Sequence, residues 1–198
     1  MNRVFLYDFD DSFTLNIYSE LLKLFKKTEI MVITKDNIPN HITEILKIRH
    51  KSVLILGPGP GHPDEYPQVL NYLPDLMKKK TLYIMGICLG HQLIWRRLGA
   101  RVSPSKTPKH GQVDKIILNK DFSEFFEGKE YIEVQRYNSL CVFLDKKQID
   151  PEYSTFYSDQ EELIMGHGHH FITYQFHPES IGTSCPELFF RPLQKFLL

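Results

Sequence analysis

The sequence predicts an α/β fold: a mostly parallel central sheet with helices on both faces, plus a smaller antiparallel β element. In the first half, strand-length apolar runs alternate with segments whose apolar residues recur at helical spacing. In the second half, short strand-like runs follow one another closely, as in hairpins. The length of 198 residues suits one domain of ordinary size, so we expect residues 1–198 to form a single domain.

The first half is interpreted as a series of βα units. In its first helix, Phe13, Ile17, Leu21 and Phe25 recur at helical spacing behind the capping candidates Asp11 and Ser12. In sheets of this kind, ligands lie outside the carboxyl ends of the strands. The expected strands are RVFLY, EIMVIT, SVLIL and LYIMGI, and the expected helices are SFTLNIYSELLKLFKK, ITEILKIR, YPQVLNYLPDLMKKK and Gly90 to Leu98.

The second half predicts short strands and one closing helix. The closing helix, PELFFRPLQKFLL, carries apolar residues on one face. No internal repeat or linker interrupts the chain. The expected strands are KIILN, YIEVQRY, CVFLD, STFYS, ELIMG and FITYQF.

Composition narrows the classes of partner. The 24 basic residues balance the 24 acidic ones, which disfavours binding to nucleic acid or to anionic lipid and favours a small-molecule substrate or a protein partner. No apolar segment predicts a signal peptide or a membrane span, so we expect a cytoplasmic protein. The cysteines Cys88, Cys141 and Cys185 are odd in number and lack CxxC spacing, which argues against a disulfide framework or a zinc site.

Cys88 stands between two glycines where a predicted strand gives way to a helix. The frame Gly86-Ile87-Cys88-Leu89-Gly90 is the cysteine version of the G-x-S-x-G nucleophile elbow, a sharp turn that holds a nucleophile out of the sheet. Partial positive charge at the helix N-terminus favours the thiolate. The alternative interpretation is a core cysteine in a glycine-rich turn.

The segment YQFHPES supplies a candidate base and a candidate orienting acid. The apolar strand FITYQF delivers His177 at its carboxyl end, and Glu179 lies two residues on, where a carboxylate fixes the tautomer of an imidazole. A surface turn with a solvated charge is the alternative for an isolated HPE. The nearby elbow favours the catalytic interpretation.

Acyl transfer also requires donors for an oxyanion. The Leu89 N–H directly follows the candidate nucleophile, and the loop LGPGPGHP offers a second donor at Gly59. A phosphate-binding loop is the competing interpretation of these glycines. It is disfavoured because G-x-x-x-x-G-K-[ST] is absent and Pro58 and Pro60 lack N–H groups.

Two other polar clusters have simpler interpretations. Asp8, Asp10 and Asp11 are similar to the magnesium pocket of a receiver module, but Gly57 and Pro58 stand where that module needs its phosphorylated aspartate. We therefore expect capping and loop contacts from this trio. The histidines at 167, 169 and 170 lie at a predicted hairpin tip without a neighbouring cysteine or carboxylate, so we expect them to be solvated and expect no metal site.

Six motifs together resemble one family in order along nearly the whole chain. These motifs are DFDDSFTLN, LGPGPGHP, GICLGHQ, RYNSL, ELIMG and QFHPES. The chain resembles a class I (triad) glutamine amidotransferase, a family with a flavodoxin-like fold. Within it, the chain most resembles the small subunit, component II, of anthranilate synthase and aminodeoxychorismate synthase, which serve tryptophan and folate biosynthesis.

The resemblance implies hydrolysis of L-glutamine, with ammonia passed to a chorismate-binding synthase subunit, component I. It assigns the nucleophile to Cys88, the base to His177 and the orienting acid to Glu179, with Gly59 and Leu89 as the oxyanion hole. No cofactor is implied in this subunit, whereas Mg²⁺ is expected in the partner. The residues implied to hold glutamine are Gly59, Pro60, Gly61, Gln92, Ser139 and Leu140.

Three departures from the family pattern leave alternatives open. Phe9 and Asp10 stand where the family usually has Asn-Tyr, Gln112 stands in place of Lys in H-G-K, and Asn138 stands in place of His in R-Y-H-S-L. These changes leave the triad intact but make a catalytically quiet regulatory subunit conceivable. A stand-alone glutaminase, or an amidotransferase subunit of another synthase, is the alternative within the enzyme class.

Overall fold

A computed structural model of the chain describes residues 2–145, 147 and 149–198. Within that part, the strands form a nine-stranded sheet and a separate two-stranded sheet. The strands are β1 (Arg3–Asp8), β2 (Glu29–Thr34), β3 (Ser52–Leu56), β4 (Leu82–Ile87), β5 (Arg101–Pro104), β6 (Gln112–Ile117), β7 (Tyr131–Arg136), β8 (Leu140–Phe143), β9 (Ser154–Tyr157), β10 (Leu163–Gly168) and β11 (Phe171–Tyr174).

The α-helices are short except at the two ends of the chain. None of the helices in the described residues combines the length and the apolar character that crossing a bilayer requires. The helices are α1 (Thr14–Leu24), α2 (Ile38–Ile45), α3 (Pro67–Leu70), α4 (Leu73–Lys78), α5 (Leu89–Arg97), α6 (Lys120–Phe125) and α7 (Pro186–Leu197).

Five strands of the large sheet are parallel. Their order is β2-β1-β3-β4-β11, with β4 and β11 paired so that Ile87 lies opposite Tyr174. The predicted α/β class with a flavodoxin-like parallel core is confirmed. The grouping of β11 with the hairpin strands is only half right, because β11 pairs antiparallel with β10 on one side and parallel with β4 on the other.

The antiparallel strands extend the sheet beyond β11. The order continues as β10-β8-β5, with β9 also paired to β10, and the β6–β7 hairpin forms the two-stranded sheet. This arrangement confirms the smaller antiparallel element. The expectation that the whole chain is one domain stays a prediction.

Helices cover both faces of the parallel strands because side chains alternate along each strand. On β1, Val4 and Leu6 pack in a cluster with apolar residues of α1 and α7. The intervening Phe5 and Tyr7 pack in a second cluster with residues of α2, α3, α4 and α5. The carboxyl ends of the parallel strands therefore emerge between two packed helical layers.

The structure corrects two of the predicted helices. The single helix expected over YPQVLNYLPDLMKKK is two helices, α3 and α4, separated at Asn71 and Tyr72. Pro74 has no N–H to continue a helical hydrogen-bond ladder and instead lies at the start of α4. The helix expected over ITEILKIR begins earlier, at Ile38, and ends at Ile45.

The acidic trio makes loop contacts, but the predicted caps of α1 are wrong. Asp8 Oδ1 accepts hydrogen bonds from the N–H groups of Asp10 and Asp11 and from the Thr14 hydroxyl at 3.0, 3.3 and 2.7 Å. Asp11 Oδ1 accepts one from the Phe13 N–H at 2.9 Å, so it fixes the turn before the helix. Phe13 itself is the N-cap residue, and its side chain makes no capping bond.

Candidate active site

Cys88 lies at the carboxyl end of β4 and is the N-cap residue of α5. Its backbone has φ 52° and ψ −100°, which is strained for a residue with a side chain. The Cys88 N–H donates to the Tyr174 carbonyl at 2.8 Å, which fixes the turn against β11. The half-buried Cys88 thus occupies the sharp strand-to-helix turn that the sequence predicts.

The two glycines that flank this turn are required by close approach. A Cβ on Gly86 would lie 2.6 Å from the Gly90 carbonyl oxygen, and a Cβ on Gly90 would lie 2.0 Å from the Leu56 carbonyl oxygen. Both distances are far below van der Waals contact. Glycine at these positions lets α5 begin directly against β3 and β4.

His177 and Glu179 follow β11 and lie at the same edge of the sheet as Cys88. β11 ends at Tyr174, three residues before His177 and earlier than the strand expected from FITYQF. The His177 backbone instead pairs with β7: its N–H donates to the Gln135 carbonyl at 2.9 Å. The His177 Nδ1 atom lies 2.8 Å from Glu179 Oε1, and both side chains are buried.

The environment of His177 favours the imidazolium. Burial on its own lowers the pKa of His177, but hydrogen-bonding contacts with Cys88 and Glu179 and the negative charges of these two groups outweigh it and raise the pKa well above 6.5. The structure therefore brings Cys88, His177 and Glu179 together. A base that contacts a nucleophile on one side and a carboxylate on the other is the arrangement of a catalytic triad.

The two candidate oxyanion donors lie on adjoining segments. A Cβ on Gly59 would lie 2.8 Å from Leu89 Cδ2 and 2.5 Å from Phe9 Cβ. The loop at residues 57–61, the glycine loop, therefore packs directly on the start of α5. Within the described residues, neither the Gly59 N–H nor the Leu89 N–H makes a hydrogen bond. Both donors therefore remain free for a ligand.

Tyr66 anchors the rest of the glycine loop. The Tyr66 hydroxyl donates to the Pro60 carbonyl at 2.8 Å, and the Tyr66 ring packs edge-on against Phe9 at 5.1 Å between centroids. Gly61 adopts a φ of +79°, a region where a side chain would be strained. Tyr66 thus positions the loop that carries Gly59, Pro60 and Gly61.

Gln92 links three parts of the candidate glutamine site. Its Nε2 atom donates to the Leu140 carbonyl at 3.1 Å and to Gln175 Oε1 at 3.2 Å. Gln175 in turn places its Nε2 atom 3.8 Å from Cys88 Sγ. Ser139 is exposed beside Leu140, and its carbonyl accepts a hydrogen bond from the Ser105 N–H.

A buried ion pair supports the segment that carries Ser139 and Leu140. Arg136 contacts Glu162 at 3.1 Å, and its Nε atom donates to Asn138 Oδ1 at 3.0 Å. Burial alone raises the pKa of Glu162, but hydrogen bonds from Ser105 and Arg136 outweigh it and lower the pKa. Removing one partner of such a pair leaves an uncompensated buried charge, which destabilises the fold. We therefore interpret the intact pair as a rigid support for the segment that carries Ser139 and Leu140.

The aromatic neighbours of His177 are not evident from the sequence. The Phe13 and Tyr137 rings lie 4.9 and 5.2 Å from the imidazole between centroids. Phe13 follows β1 of the large sheet, whereas Tyr137 follows β7 of the two-stranded sheet, so nothing in the sequence indicates that the two rings meet. Gln175 was likewise missed, although a polar residue within the apolar run FITYQF pointed to it.

His167 lies near the end of β10, and His169 and His170 follow that strand. Within the described residues, no group of three or more His, Cys, Asp or Glu side chains is placed to hold a metal ion. His167 is not solvated as expected: it stacks on Phe125 at 4.6 Å between centroids. Burial accordingly lowers the pKa of His167.

The sequence model of the family described as "Glutamine amidotransferase class-I" matches residues 5–195. This chain belongs to the class I glutamine amidotransferase family.

Curated relatives of this amidotransferase carry the names of two synthases. It is 34% identical over 190 residues to "Anthranilate synthase component 2" of Cyanidium caldarium and covers 91% of each chain. It is 33% identical over 189 residues to "Putative aminodeoxychorismate synthase" of Schizosaccharomyces pombe, covering 92% of this chain. The amidotransferase spans about a quarter of that yeast protein, 24% of its length.

Solved structures share the fold of this amidotransferase. A putative GMP synthase subunit from Thermoplasma acidophilum matches with a TM-score of 0.77 and 20% identity over 100% of this chain and 94% of that one. A glutamine amidotransferase from Thermotoga maritima matches with a TM-score of 0.67 and 21% identity over 89% of this chain and 76% of that one. At these identities, the likeness supports the fold alone.

Two of the three departures from the family motifs have structural roles in this amidotransferase. Asn138 bridges the buried Arg136 to the Leu140 carbonyl, to which its Nδ2 atom donates at 3.1 Å. Phe9 packs on Tyr66 and against Gly59. Gln112 is exposed at the start of β6, and nothing in the structure explains its presence there.

Proposed function

We propose that this chain is the glutamine-hydrolysing subunit of a chorismate-using synthase and delivers ammonia to a synthase subunit, component I. In this proposal Cys88 is the nucleophile, His177 the base and Glu179 its orienting acid. The observation that carries it is Cys88 held in a strained turn in contact with His177, whose Nδ1 atom lies 2.8 Å from Glu179.

The names of the relatives support the class of partner. Proteins called anthranilate synthase component 2 align with nearly the whole chain at about one-third identity. The protein called "Putative aminodeoxychorismate synthase" matches this chain over 24% of its own length. The rest of that protein is long enough to hold a second catalytic unit. Both anthranilate and aminodeoxychorismate are therefore candidate products of the synthase. The cytoplasmic location expected from the sequence stays a prediction.

The first half of the proposed reaction forms a thioester. The Cys88 thiolate attacks the side-chain amide carbon of L-glutamine, and the resulting oxyanion accepts hydrogen bonds from the Gly59 and Leu89 N–H groups. The C–N bond then breaks, and His177 gives its proton to the departing amine, which leaves as ammonia. Gly59 to Gly61, Gln92, Ser139 and Leu140 hold the glutamine.

The second half releases glutamate. His177, now neutral, takes a proton from water, and the hydroxide attacks the glutamyl thioester carbon. The C–S bond breaks, which restores the Cys88 thiolate beside an imidazolium. No metal or organic cofactor takes part in this subunit, and Mg²⁺ is expected only in the synthase partner.

The test replaces the nucleophile and bypasses it with ammonia. Cys88→Ser, assayed with the synthase partner, should abolish synthesis from glutamine, a loss of several orders of magnitude. Synthesis from added ammonium salt should be unchanged because that reaction does not use this site. Equal loss of both activities would contradict the proposal.

A catalytically quiet regulatory subunit is the alternative of another class. A glutamine analogue with an electrophilic carbon should alkylate Cys88 in an active subunit and should leave it unmodified in a quiet one. Cys185, which is exposed and lies outside the candidate site, serves as the reference thiol in the same chain. Modification of both cysteines at equal rates would count against a glutamine site.

A further inference from the structure

Two aromatic rings pack against one side of the His177 imidazole. The Phe13 ring lies 4.9 Å from the imidazole between centroids with the planes at 51°, and the Tyr137 ring lies 5.2 Å away with the planes at 84°. The two aromatic rings also contact each other at 4.8 Å. The three rings therefore form one cluster, with His177 as its buried member.

Each of the two rings has a further contact besides the imidazole. Phe13 is the N-cap of α1, and its N–H donates to Asp11 Oδ1 at 2.9 Å. Tyr137 follows β7, and its hydroxyl lies 3.5 Å from Ser180 Oγ in the segment that carries the triad. The turn before α1 thus places Phe13, whereas Tyr137 is tied to the segment that carries His177.

The titratable groups that contact His177 are few. Glu179 lies at its Nδ1 atom, Cys88 contacts it from the turn after β4, and Tyr137 flanks it from β7. Phe13 adds an uncharged ring. The electron-rich face of an aromatic ring attracts a cation within about 6 Å, whereas it does little for a neutral imidazole.

We propose that Phe13 and Tyr137 are positioning residues that pack together against one side of the His177 imidazole and favour its protonated form over its neutral form. The inference rests on the proposed function, since it concerns the base of the proposed triad. Rotation of the imidazole would break its contact with Glu179. Stabilising the imidazolium favours the thiolate–imidazolium pair over the neutral thiol–imidazole pair.

The test follows the reactivity of Cys88 toward iodoacetamide, which reports the thiolate without requiring glutamine hydrolysis. The rates at Cys88 and at the exposed Cys185 are measured from pH 5 to pH 9 by peptide mass spectrometry on the same samples. Phe13→Leu and Tyr137→Leu keep apolar volume but remove a ring. Each should lower the ratio of the Cys88 rate to the Cys185 rate at neutral pH about three- to tenfold.

Two matched controls retain what the proposal requires. Tyr137→Phe keeps the ring and loses only the hydroxyl, so its rate ratio should stay within about twofold of the parent. Phe196→Leu makes the same substitution in the C-terminal helix, where the ring packs on Tyr83, and should also leave the ratio unchanged. Thermal unfolding of each variant confirms that it is folded.

The outcomes separate the two proposals. A parent chain in which Cys88 reacts no faster than Cys185 would overturn the nucleophile in the proposed function. A fast parent with an unchanged ratio and pH profile in Phe13→Leu and Tyr137→Leu would overturn the positioning role alone. An equal fall of the rate ratio in Phe196→Leu would also reject the positioning role. So would a ratio in Tyr137→Phe as low as that in Tyr137→Leu, because the effect would then not depend on an aromatic ring beside His177.

Discussion

The backbone of His177 is tied down on both sides of the residue. Its N–H donates to Gln135 and its carbonyl accepts from the Thr183 hydroxyl at 2.7 Å, so the position of the imidazole is set before Glu179 contributes. The carboxylate then fixes the ring through Nδ1. Positioning is therefore shared between backbone and side chain, whereas proton transfer belongs to the imidazole alone.

We therefore predict that the two substitutions differ in severity. His177→Ala should reduce glutamate release by the assembled enzyme nearly as much as loss of Cys88, because His177 is the base that contacts Cys88. Glu179→Ala should retain at least about ten times more activity than His177→Ala, since the backbone still places the ring. Steady-state glutamate release measures both, and a greater loss in Glu179→Ala would reverse the assigned roles.

His91, three residues after Cys88, predicts an acid-dependent loss of stability. It is fully buried, its Nε2 atom contacts the Leu163 carbonyl at 3.0 Å, and burial lowers its pKa to about 3 despite that hydrogen bond. The folded state keeps His91 neutral, whereas the unfolded chain takes up a proton below pH 6.5. The stability that this contributes is present above pH 6.5 and is lost as the pH falls toward 3.

We predict that His91→Gln removes this part of the acid sensitivity. Glutamine retains a donor for the Leu163 carbonyl but cannot be protonated. Between pH 8 and pH 5, the free energy of unfolding of the parent should fall by about 2 kcal/mol more than that of the variant. Urea unfolding at both pH values measures the difference, and parallel losses in the two proteins would contradict the prediction.

The three residues of the candidate triad are easier to identify from local sequence than the residues around them. Cys88, His177 and Glu179 lie in short motifs whose chemistry is legible from spacing. Phe13, Tyr137 and Gln175 act through contacts between segments that are far apart in the chain, which depend on how β1, β7 and β11 pack. Spacing carries no information about such contacts.

At the scale of elements, the close contact between the start of α5 and the sheet restricts which residues can occupy that position. The start of α5 touches β3 so closely that a Cβ on Gly90 would lie 2.0 Å from the Leu56 carbonyl oxygen. That oxygen belongs to the backbone of a fully buried strand and cannot move aside independently. The helix and the strand would have to separate to admit a methyl group.

We predict that Gly90→Ala lowers the free energy of unfolding by about 2–3 kcal/mol. Gly99→Ala is the matched control: Gly99 has open space around its Cα, and its φ of +96° costs about 1 kcal/mol for a residue with a side chain. Chemical denaturation of both variants compares the two effects. An equal loss in the two variants would show that close approach to Leu56 is not limiting.

The predicted bounds are most accurate where a continuous apolar run marks a strand. SVLIL and LYIMGI have the predicted bounds because such runs are typical of buried strands in the interior of a parallel sheet. EIMVIT also has the predicted bounds, although β2 is an edge strand and is only partly buried. Two elements were missed. β5 (Arg101–Pro104) is an edge strand that pairs with β8, and Val102 is its one buried residue. α6 (Lys120–Phe125) is too short for its helical periodicity to be recognised.

At the scale of the whole molecule, an amidotransferase has to couple the release of ammonia to its use. Unregulated hydrolysis would waste glutamine, so coupling requires a partner that binds the active arrangement of the site more tightly than the inactive one. The loops at Gly57 to Pro63 and Thr107 to Gln112 flank the carboxyl edge of the sheet, where we expect that partner.

We predict that the purified chain alone is a slow glutaminase. Addition of its synthase subunit with chorismate should raise glutamate release at least tenfold, which corresponds to about 1.4 kcal/mol of transition-state stabilisation. The measurement uses one synthase subunit of the anthranilate type and one of the aminodeoxychorismate type, and selective stimulation identifies the product. A high rate that responds to neither subunit would indicate a stand-alone hydrolase.

The late position of β11 in the chain has a consequence for folding. His177 follows Cys88 by about 90 residues, and β11 joins β4 only after the intervening antiparallel strands have been made. Pairing across so long a separation is slow, so during refolding the helical signal should return before the two side chains meet. If Cys88 is the proposed nucleophile, the return of its reactivity during refolding should therefore time the closure of the parallel sheet. A nascent chain that still lacks β11 would then carry Cys88 without the proposed base.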